Sequence, residues 1–176
     1  DNMNRRAVEI GAVDTHFVNP SGLSNKDHFT TAYDMALIAR EAMKNPEFKT
    51  IVSAKSWVAN RKVGKYSHFY NKNKVVYEYE GGTGIKSGYT KASGRTLVAS
   101  SERDGMELIC AVMNAPNWFN DSYKLMDYVY ENFYVKRIAY GNRILKATQV
   151  KGGDKNFVFI GPKNDILYPI EKDKDG

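Results

Sequence analysis

The residues with the clearest chemical potential lie in one glycine-flanked segment, Gly84-Ile85-Lys86-Ser87-Gly88-Tyr89-Thr90. A lysine can hold an anionic group or assist a proton transfer, and a neighbouring serine hydroxyl can donate to a carboxylate. A glycine beside them lets a ligand come close, and the edge of an extended strand can pair with a peptide-like ligand. The pattern predicts a peptide-binding strand, although a bare Lys-Ser-Gly tripeptide also fits an ordinary exposed strand followed by a turn.

A β-hairpin is predicted directly after this segment. Two apolar runs, residues 95–102 and 106–113, flank Asp104-Gly105, and Asp-Gly between apolar runs is a strong hairpin signal. The centres of both runs, Leu97–Ala99 and Leu108–Val112, are so continuously apolar that we expect both strands to be covered on both faces. Before the lysine, the glycine-rich residues Gly81–Gly84 are predicted to interrupt regular secondary structure.

Helices are predicted on either side of these strands. Gly11 is typical of the position that ends a helix, and Thr31 with Asp34 three residues later is typical of a helix start. Two short strands are predicted to flank residues 62–65. The predicted helices are Asn2–Ile10, a segment from Thr31 to about Lys44, a short turn from Pro46 through Phe48 to Ile51, and Asp121–Phe133, which Asn120 would cap and which would bury Leu125, Met126, Val129, Tyr130 and Phe133.

The composition changes near residue 138. Short β-type runs, Ile144-Leu145 and Phe157–Ile160, alternate with turns rich in lysine and glycine up to Gly176. A segment of 39 residues (138–176) is too short to bury a core of its own. We therefore expect it to be the start of a second, all-β module.

Composition excludes several function classes. The 26 basic and 20 acidic residues give a net charge of +6, which suits an anionic neighbour such as nucleic acid, a cell wall or a lipid surface. The aromatic residues fall on predicted helix and strand faces rather than among the basic residues, which disfavours nucleic acid. A single cysteine, Cys110, excludes an internal disulfide and is predicted to be a buried, inert thiol. The histidines, His16, His28 and His68, lack metal-ligand spacing, so no metal site is expected at them.

Four stretches carry a resemblance to known proteins, namely Thr15–Leu23, Thr30–Ala39, Gly84–Thr90 and Gly94–Ser100. In their order along the chain they resemble one protein family, the low-molecular-mass D-alanyl-D-alanine carboxypeptidases among the serine penicillin-binding proteins and β-lactamases. Lys-Thr/Ser-Gly is the third signature of that superfamily. The resemblance covers about residues 2–137 and implies an α/β fold of helices on an antiparallel sheet. Residues 1–137 would be the second half of the transpeptidase-like domain, and residues 138–176 the start of a β-rich domain.

The resemblance also implies roles for the lysine segment. Lys86 would place positive charge beside the catalytic proton network and orient the substrate, while Ser87 and Thr90 would bind the terminal carboxylate of a D-Ala-D-Ala stem peptide. Gly88 would leave space for the substrate backbone. The backbone N–H of Tyr89 would form half of an oxyanion hole. Peptidoglycan stem peptides and β-lactams are the implied ligands, and Asn71 and Asn73 are interpreted as loop-forming residues rather than cleft residues.

Two signatures of the family do not occur in these 176 residues, namely Ser-x-x-Lys, which carries the nucleophile, and Ser-x-Asn. We therefore expect the missing N-terminal half of the same domain to be a partner and this chain to be inactive alone. The parent would be extracytoplasmic, with membrane attachment only through segments outside this chain. A β-lactamase fragment and a non-catalytic wall-binding or interaction module remain as alternatives.

Overall fold

A computed structural model describes residues 2–60 and 67–174 of the chain. The chain divides into two compact units, residues 1–103 with 107–128, and residues 104–106 with 129–176. The helices are α1 (Asn2–Glu9), α2 (Ala32–Ala42), α3 (Pro46–Ser53), α4 (Val75–Glu78) and α5 (Trp118–Asn132). The strands are β1 (Ser56–Val58), β2 (His68–Tyr70), β3 (Gly82–Thr90), β4 (Gly94–Arg103), β5 (Met106–Val112), β6 (Phe133–Ala139), β7 (Lys146–Gln149), β8 (Phe157–Ile160) and β9 (Ile166–Glu171).

The main sheet of the first unit has the strand order β3–β4–β5. Strands β3 and β4 are antiparallel, with Lys86 opposite Val98 and Gly88 opposite Thr96. The predicted Asp-Gly hairpin between β4 and β5 is confirmed, because Asp104 (φ 49°) and Gly105 (φ 76°) both adopt the left-handed backbone that a tight two-residue turn requires. Within the described residues β3 is an edge strand, so one of its edges is unpaired.

A hydrophobic cluster joins the helices to this sheet. Ala39 and Met43, at the end of α2, are buried together with Ile85 of β3 and Val98 of β4. Burial of apolar surface of this kind is the dominant favourable contribution to folding. The predicted arrangement of helices on an antiparallel sheet is therefore present. Partly buried residues that pack against the cluster are Met35, Phe48, Val52, Ile109 and Ala111.

The prediction that both hairpin strands are covered on both faces is right for β4 and wrong for β5. Successive residues of β4 from Leu97 to Ser101 are all buried, with Leu97 only 1% exposed. In β5, Leu108–Val112 are only partly buried. The reason is position, since β4 is the central strand and β5 is the other edge of the sheet among the described residues.

Most helix boundaries follow the local sequence signals. Gly11 has a φ of +89° just after α1, and the Thr31 side chain accepts a hydrogen bond from the N–H of Asp34 at the start of α2. Asn45 caps α3 in the same way, with Pro46 as its first residue. The prediction for α5 was wrong at its start, which is Trp118 rather than Asp121.

The buried face of α5 also differs from the predicted stripe. Leu125 is 52% exposed, whereas Met126 is 1% exposed and Ser122 is fully buried. Ser122 can be buried because its hydroxyl donates to the Trp118 carbonyl one turn earlier, at 2.8 Å. A serine on a buried helix face is not visible to a pattern search for apolar residues.

The glycine-rich segment before Lys86 is not a break. Strand β3 begins at Gly82, with a register shift between Gly82 and Gly84. A short helix that the sequence analysis missed, α4, immediately precedes it. Strands β1 and β2 form a separate antiparallel pair, so the two short strands predicted to flank residues 62–65 are confirmed, and residues 62–65 themselves lie outside the described residues.

The second unit is built from two-stranded antiparallel sheets, β6 with β9 and β7 with β8. Phe157–Ile160 is a strand as predicted, but Ile144-Leu145 is not, because the strand begins at Lys146. All four residues of β8 are exposed. The predicted domain boundary after residue 137 remains a prediction. In the described part of the chain, no helix has both the length and the apolar character to span a membrane.

Candidate active site

The start of β3 is held tightly against the α3 backbone. Gly84 has a φ of +132°, and a Cβ at this position would lie 3.1 Å from the Val52 carbonyl oxygen and 3.3 Å from the Val52 Cβ. Only glycine combines that backbone angle with so close an approach. The close packing of Val52 on Gly84 therefore sets where the strand enters, two residues before Lys86.

Lys86 is exposed and its charge is available. Its Nζ donates to the carbonyl of Ser87, and within the described residues it forms no ion pair with a carboxylate. An uncompensated ammonium group at a strand edge can attract an anionic group of a ligand. The structure is thus compatible with the role predicted for Lys86, which is to place a positive charge beside the reacting groups.

Ser87 is half-buried opposite Leu97, which is 1% exposed. Its hydroxyl has no hydrogen-bond partner among the residues that the structure describes. A half-buried hydroxyl without an internal partner can still donate to an incoming carboxylate. Ser87 therefore keeps the donor that the sequence analysis assigned to it.

Gly88 has a contact that the sequence does not reveal. The hydroxyl of Thr96 donates to the Gly88 carbonyl at 3.1 Å, and a Cβ on Gly88 would lie 2.9 Å from that hydroxyl oxygen. Such a separation is shorter than real Cβ contacts, so a side chain here would require Thr96 to move. Gly88 thus has a packing reason to be glycine in addition to the proposed space for substrate.

The end of β3 is shaped by its turn. The Thr90 hydroxyl accepts from the Ser93 N–H at 2.9 Å and interacts with the Ser93 hydroxyl at 3.0 Å, so it is already engaged. The Tyr89 side chain is 67% exposed and is free to be varied without disturbing the core. Consequently the Ser87 hydroxyl is unengaged and Lys86 has no carboxylate partner among the described residues, whereas the Thr90 hydroxyl stabilises the turn.

A buried aspartate organises the loop before α2, and the sequence analysis identified it only as part of a helix start. Asp34 is 1% exposed, and its Oδ2 accepts from the Asp14 N–H at 2.8 Å and from the Thr15 hydroxyl at 2.7 Å. The Thr15 hydroxyl also lies 2.8 Å from that of Thr30, which closes the loop. Asn4 holds Phe17 of the same loop through both side-chain amide atoms. The carboxyl group is tolerated in this buried position because its Oδ2 accepts these two hydrogen bonds.

Asn71 and Asn73 have structural contacts, as interpreted from the sequence. The Asn71 Nδ2 donates to the carbonyls of Val52 and Ala54, each at 3.0 Å. The Asn73 Oδ1 accepts from the Val75 N–H at 3.1 Å, and the Asn73 Nδ2 is buried without a partner in the described structure. Both side chains therefore stabilise the backbone just ahead of β3.

Two groups have shifted pKa values. Burial raises the pKa of the Cys110 thiol, and a hydrogen bond with Ser122 opposes that shift only in part. Burial and then the negative charge of Glu78 raise the pKa of Tyr123 to about 12. The thiol is partly rather than fully buried. Its raised pKa agrees with the prediction of an unreactive cysteine.

The chemistry available to these residues is ligand binding along an open strand edge. Unpaired backbone groups of an edge strand can hold an extended peptide, and the side chains of Lys86 and Ser87 can add contacts to its anionic end. Among the described residues no group of three or more His, Cys, Asp or Glu side chains could hold a metal ion. The arrangement fits a binding wall for a carboxylate-bearing peptide.

The comparisons with known proteins agree on one family. Residues 1–117 match the family described as D-alanyl-D-alanine carboxypeptidase, Peptidase S11. The chain is 28% identical over 176 residues to the D-alanyl-D-alanine carboxypeptidase DacF of Bacillus subtilis, covering 98% of this chain and 45% of the relative. It is 32% identical over 134 residues to DacB2 of Mycobacterium tuberculosis, covering 72% of this chain and 46% of the relative.

Solved structures with a similar fold belong to the same group of enzymes as the sequence relatives. The crystal structure of penicillin-binding protein 5 from Haemophilus influenzae is similar to this fold with a TM-score of 0.81 and 29% identity, over 99% of this chain and 51% of that one. The Streptomyces K15 DD-transpeptidase is similar with a TM-score of 0.67 and 31% identity, over 73% of this chain and 52% of that one. The chain spans about half the length of the relatives that it matches. On the match of residues 1–117 and the shared fold, the chain belongs to the D-alanyl-D-alanine carboxypeptidase family, Peptidase S11.

Proposed function

We propose that this chain forms one wall of the active site of a serine-type D-Ala-D-Ala carboxypeptidase that acts on peptidoglycan stem peptides. The observation that carries the proposal is the open edge of β3, where Lys86 has no carboxylate partner and the Ser87 hydroxyl has no hydrogen-bond partner in the described structure. Membership of the family gives this strand a matching chemistry, since DacF and the other named relatives are D-alanyl-D-alanine carboxypeptidases. The reaction would be acyl transfer.

In this proposal the nucleophilic serine comes from the N-terminal half of the same domain. Its oxygen attacks the D-Ala-D-Ala carbonyl and forms an ester as the terminal D-Ala leaves with the proton on its amine. Water then hydrolyses the ester and releases the shortened stem peptide. A β-lactam would acylate the same serine. No cofactor is needed, because the serine, the bases beside it and water supply every group in the reaction.

The residues of β3 serve this reaction by binding and charge stabilisation. Lys86 places positive charge beside the proton network of the serine and orients the substrate, and Ser87 donates to the terminal carboxylate. The backbone N–H of Tyr89 donates to the oxyanion in the transition state, where such donors are most effective. Gly88, which has no side chain, leaves space beside the strand for the substrate backbone. Thr90 acts mainly through the turn, because its hydroxyl bonds to Ser93.

The parent protein would act outside the cytoplasm, where peptidoglycan is exposed to its hydrolases. The net charge of +6 would favour a location beside anionic wall polymers, and membrane attachment would come from segments outside this chain. Nucleic acid is not a proposed partner. The charge alone would also suit a non-catalytic wall-binding module. Such a module, however, would not explain why, in the described structure, Lys86 without a carboxylate partner and Ser87 with an unengaged hydroxyl lie together on an open strand edge.

Labelling with a fluorescent penicillin tests the proposal. The chain alone should not be labelled, because the Ser-x-x-Lys pattern is not present in its sequence, and it should be labelled once it is joined to, or co-expressed with, the N-terminal half. Slow release of the bound penicillin would support a carboxypeptidase, and rapid turnover would instead identify a β-lactamase. A stoichiometric adduct on any serine of the isolated chain, located by mass spectrometry, would contradict the proposal. So would a full-length protein that no penicillin labels.

A further inference from the structure

Two asparagines that lie outside the lysine segment hydrogen-bond to the backbone of α3 and α4, the helices next to that segment. The Asn71 side chain uses both amide N–H groups on α3, donating to the carbonyls of Val52 and Ala54 at 3.0 Å each. Its Oδ1 accepts from the Asn73 N–H at 2.9 Å, and its own N–H donates to the Lys55 carbonyl at 2.9 Å. Asn71 therefore ties the end of α3 to the chain that leads into α4.

Asn73 continues this connection towards α4. It is 2% exposed, and its Oδ1 accepts from the N–H of Val75, the first residue of α4. Its Nδ2 is buried with no partner among the described residues, so the amide is kept in place although only part of its hydrogen-bonding capacity is satisfied. Asn73 thus fixes the first residue of α4 relative to Asn71, to which its own N–H donates.

The two helices secured by these asparagines enclose the start of β3. A Cβ on Gly84 would lie 3.1 Å from the Val52 carbonyl oxygen, and a Cβ on Gly82 would lie 2.0 Å from the Val75 carbonyl oxygen. The strand thus enters the sheet between the backbones of Val52 and Val75, and Lys86 follows two residues after Gly84. A shift of either helix would move the strand directly, since close-packed backbones leave no space to absorb it.

We infer that Asn71 and Asn73 are positioning residues that act on the reaction through Lys86. Asn71 fixes Val52, Asn73 fixes Val75, and the two together set the backbone from which the Lys86 ammonium group reaches the reacting centre. Lys86 has no ion pair in the described structure that would correct an error in its position. The inference rests on the proposed carboxypeptidase function.

The test measures penicillin acylation by the full-length protein, together with its thermal unfolding. Asn71→Ala should slow acylation by about 10- to 100-fold, the size of effect that a displacement near 1 Å can produce. Asn45→Ala is the matched control, because Asn45 caps the opposite end of α3 through the N–H groups of Glu47 and Phe48. It should lower the unfolding temperature by a similar amount and leave acylation within about twofold of wild type, because it loosens the end of α3 that is remote from Val52.

A double-mutant cycle distinguishes positioning from general destabilisation. If Asn71 acts through Lys86, the double variant Asn71→Ala/Lys86→Ala should be no slower than Lys86→Ala alone, whereas independent losses would multiply. Asn73→Ala should show the same non-additivity with Lys86→Ala. Multiplicative losses, or a loss for Asn45→Ala as large as that for Asn71→Ala, would overturn the inference and leave the proposed function standing. A wild-type protein that reacts with no penicillin would overturn both.

Discussion

The Thr96 hydroxyl donates to the Gly88 carbonyl at 3.1 Å across β3 and β4, in the segment that carries Lys86. A Cβ on Gly88 would lie 2.9 Å from the same hydroxyl oxygen. The same Thr96 hydroxyl therefore makes the hydrogen bond and occupies the space that a side chain at position 88 would need. This contact holds the candidate site strand close to its neighbour.

Gly88→Ala should destabilise the protein by about 1–3 kcal/mol, because the added methyl group overpacks against Thr96. In a Thr96→Ala background, where the obstructing oxygen is gone, the same substitution should cost less than about 0.5 kcal/mol. Urea unfolding of the full-length protein and its three variants measures both costs. Equal costs in the two backgrounds would show that Thr96 is not the reason for glycine at position 88.

Lys86→Ala should reduce the rate of penicillin acylation by about 100- to 1,000-fold, as removal of one electrostatic contact to a transition state typically does. The unfolding temperature should stay close to that of wild type, because Lys86 is exposed and makes no ion pair in the described structure. Lys124→Ala, an exposed lysine on α5, is the matched control and should leave acylation unchanged. Acylation of the Lys86 variant within about threefold of wild type would contradict the role assigned to Lys86.

Asp34→Ala should destabilise the protein by about 3 kcal/mol, because it leaves the Asp14 N–H and the Thr15 hydroxyl without their acceptor. Thr31→Ala, which removes only the cap of the same helix, should cost about 1 kcal/mol. Urea unfolding of the two variants gives the comparison. If the two variants lose the same stability, Asp34 matters only for starting the helix and does not secure the preceding loop.

Tyr123→Phe should reduce the loss of folding stability that occurs as the pH rises into the alkaline range. The pKa of Tyr123 is raised to about 12 from 10.0 in the folded protein, so folding favours the protonated phenol. Its contribution is fully present below about pH 10 and is lost as the pH rises towards 12. Thermal unfolding between these pH values should therefore show a smaller decline for the variant than for wild type.

Tyr33→Phe provides the control for this pH dependence, because the Tyr33 side chain is 72% exposed. It should follow the wild-type curve. A Tyr123 variant that also follows the wild-type curve would show that the Glu78 carboxylate and the burial of the phenol do not influence its ionisation in the folded state.

Local sequence signals were sufficient for elements whose determinants are adjacent in the chain. Thr31 predicted the start of α2, Gly11 the end of α1, and Asp104-Gly105 the hairpin turn, and the structure has each of them. These features depend on backbone angles and on hydrogen bonds between residues at most four positions apart. The Lys-Ser-Gly segment and the ordered stretches around it also indicated the family, which the match over residues 1–117 confirmed.

The tertiary structure alone decided which groups of the candidate site are available. Ser87 and Thr90 were predicted to have the same role, but contacts in the folded chain leave the Ser87 hydroxyl unengaged and bind the Thr90 hydroxyl to Ser93. Likewise, the apolar runs of β4 and β5 differ in burial, and among the described residues β4 is the central strand of the sheet whereas β5 lies at an edge.

The contacts that position the backbone at Lys86 could not be predicted from the sequence either. Asn71 reaches a carbonyl 19 positions earlier in the chain, and Gly88 meets a hydroxyl eight positions later. Residue types and spacing report on neighbours along the chain, whereas these contacts depend on how helices and strands pack. Lys86 was identifiable from its signature, but the backbone that positions it exists only once α3, α4 and β3 have come together.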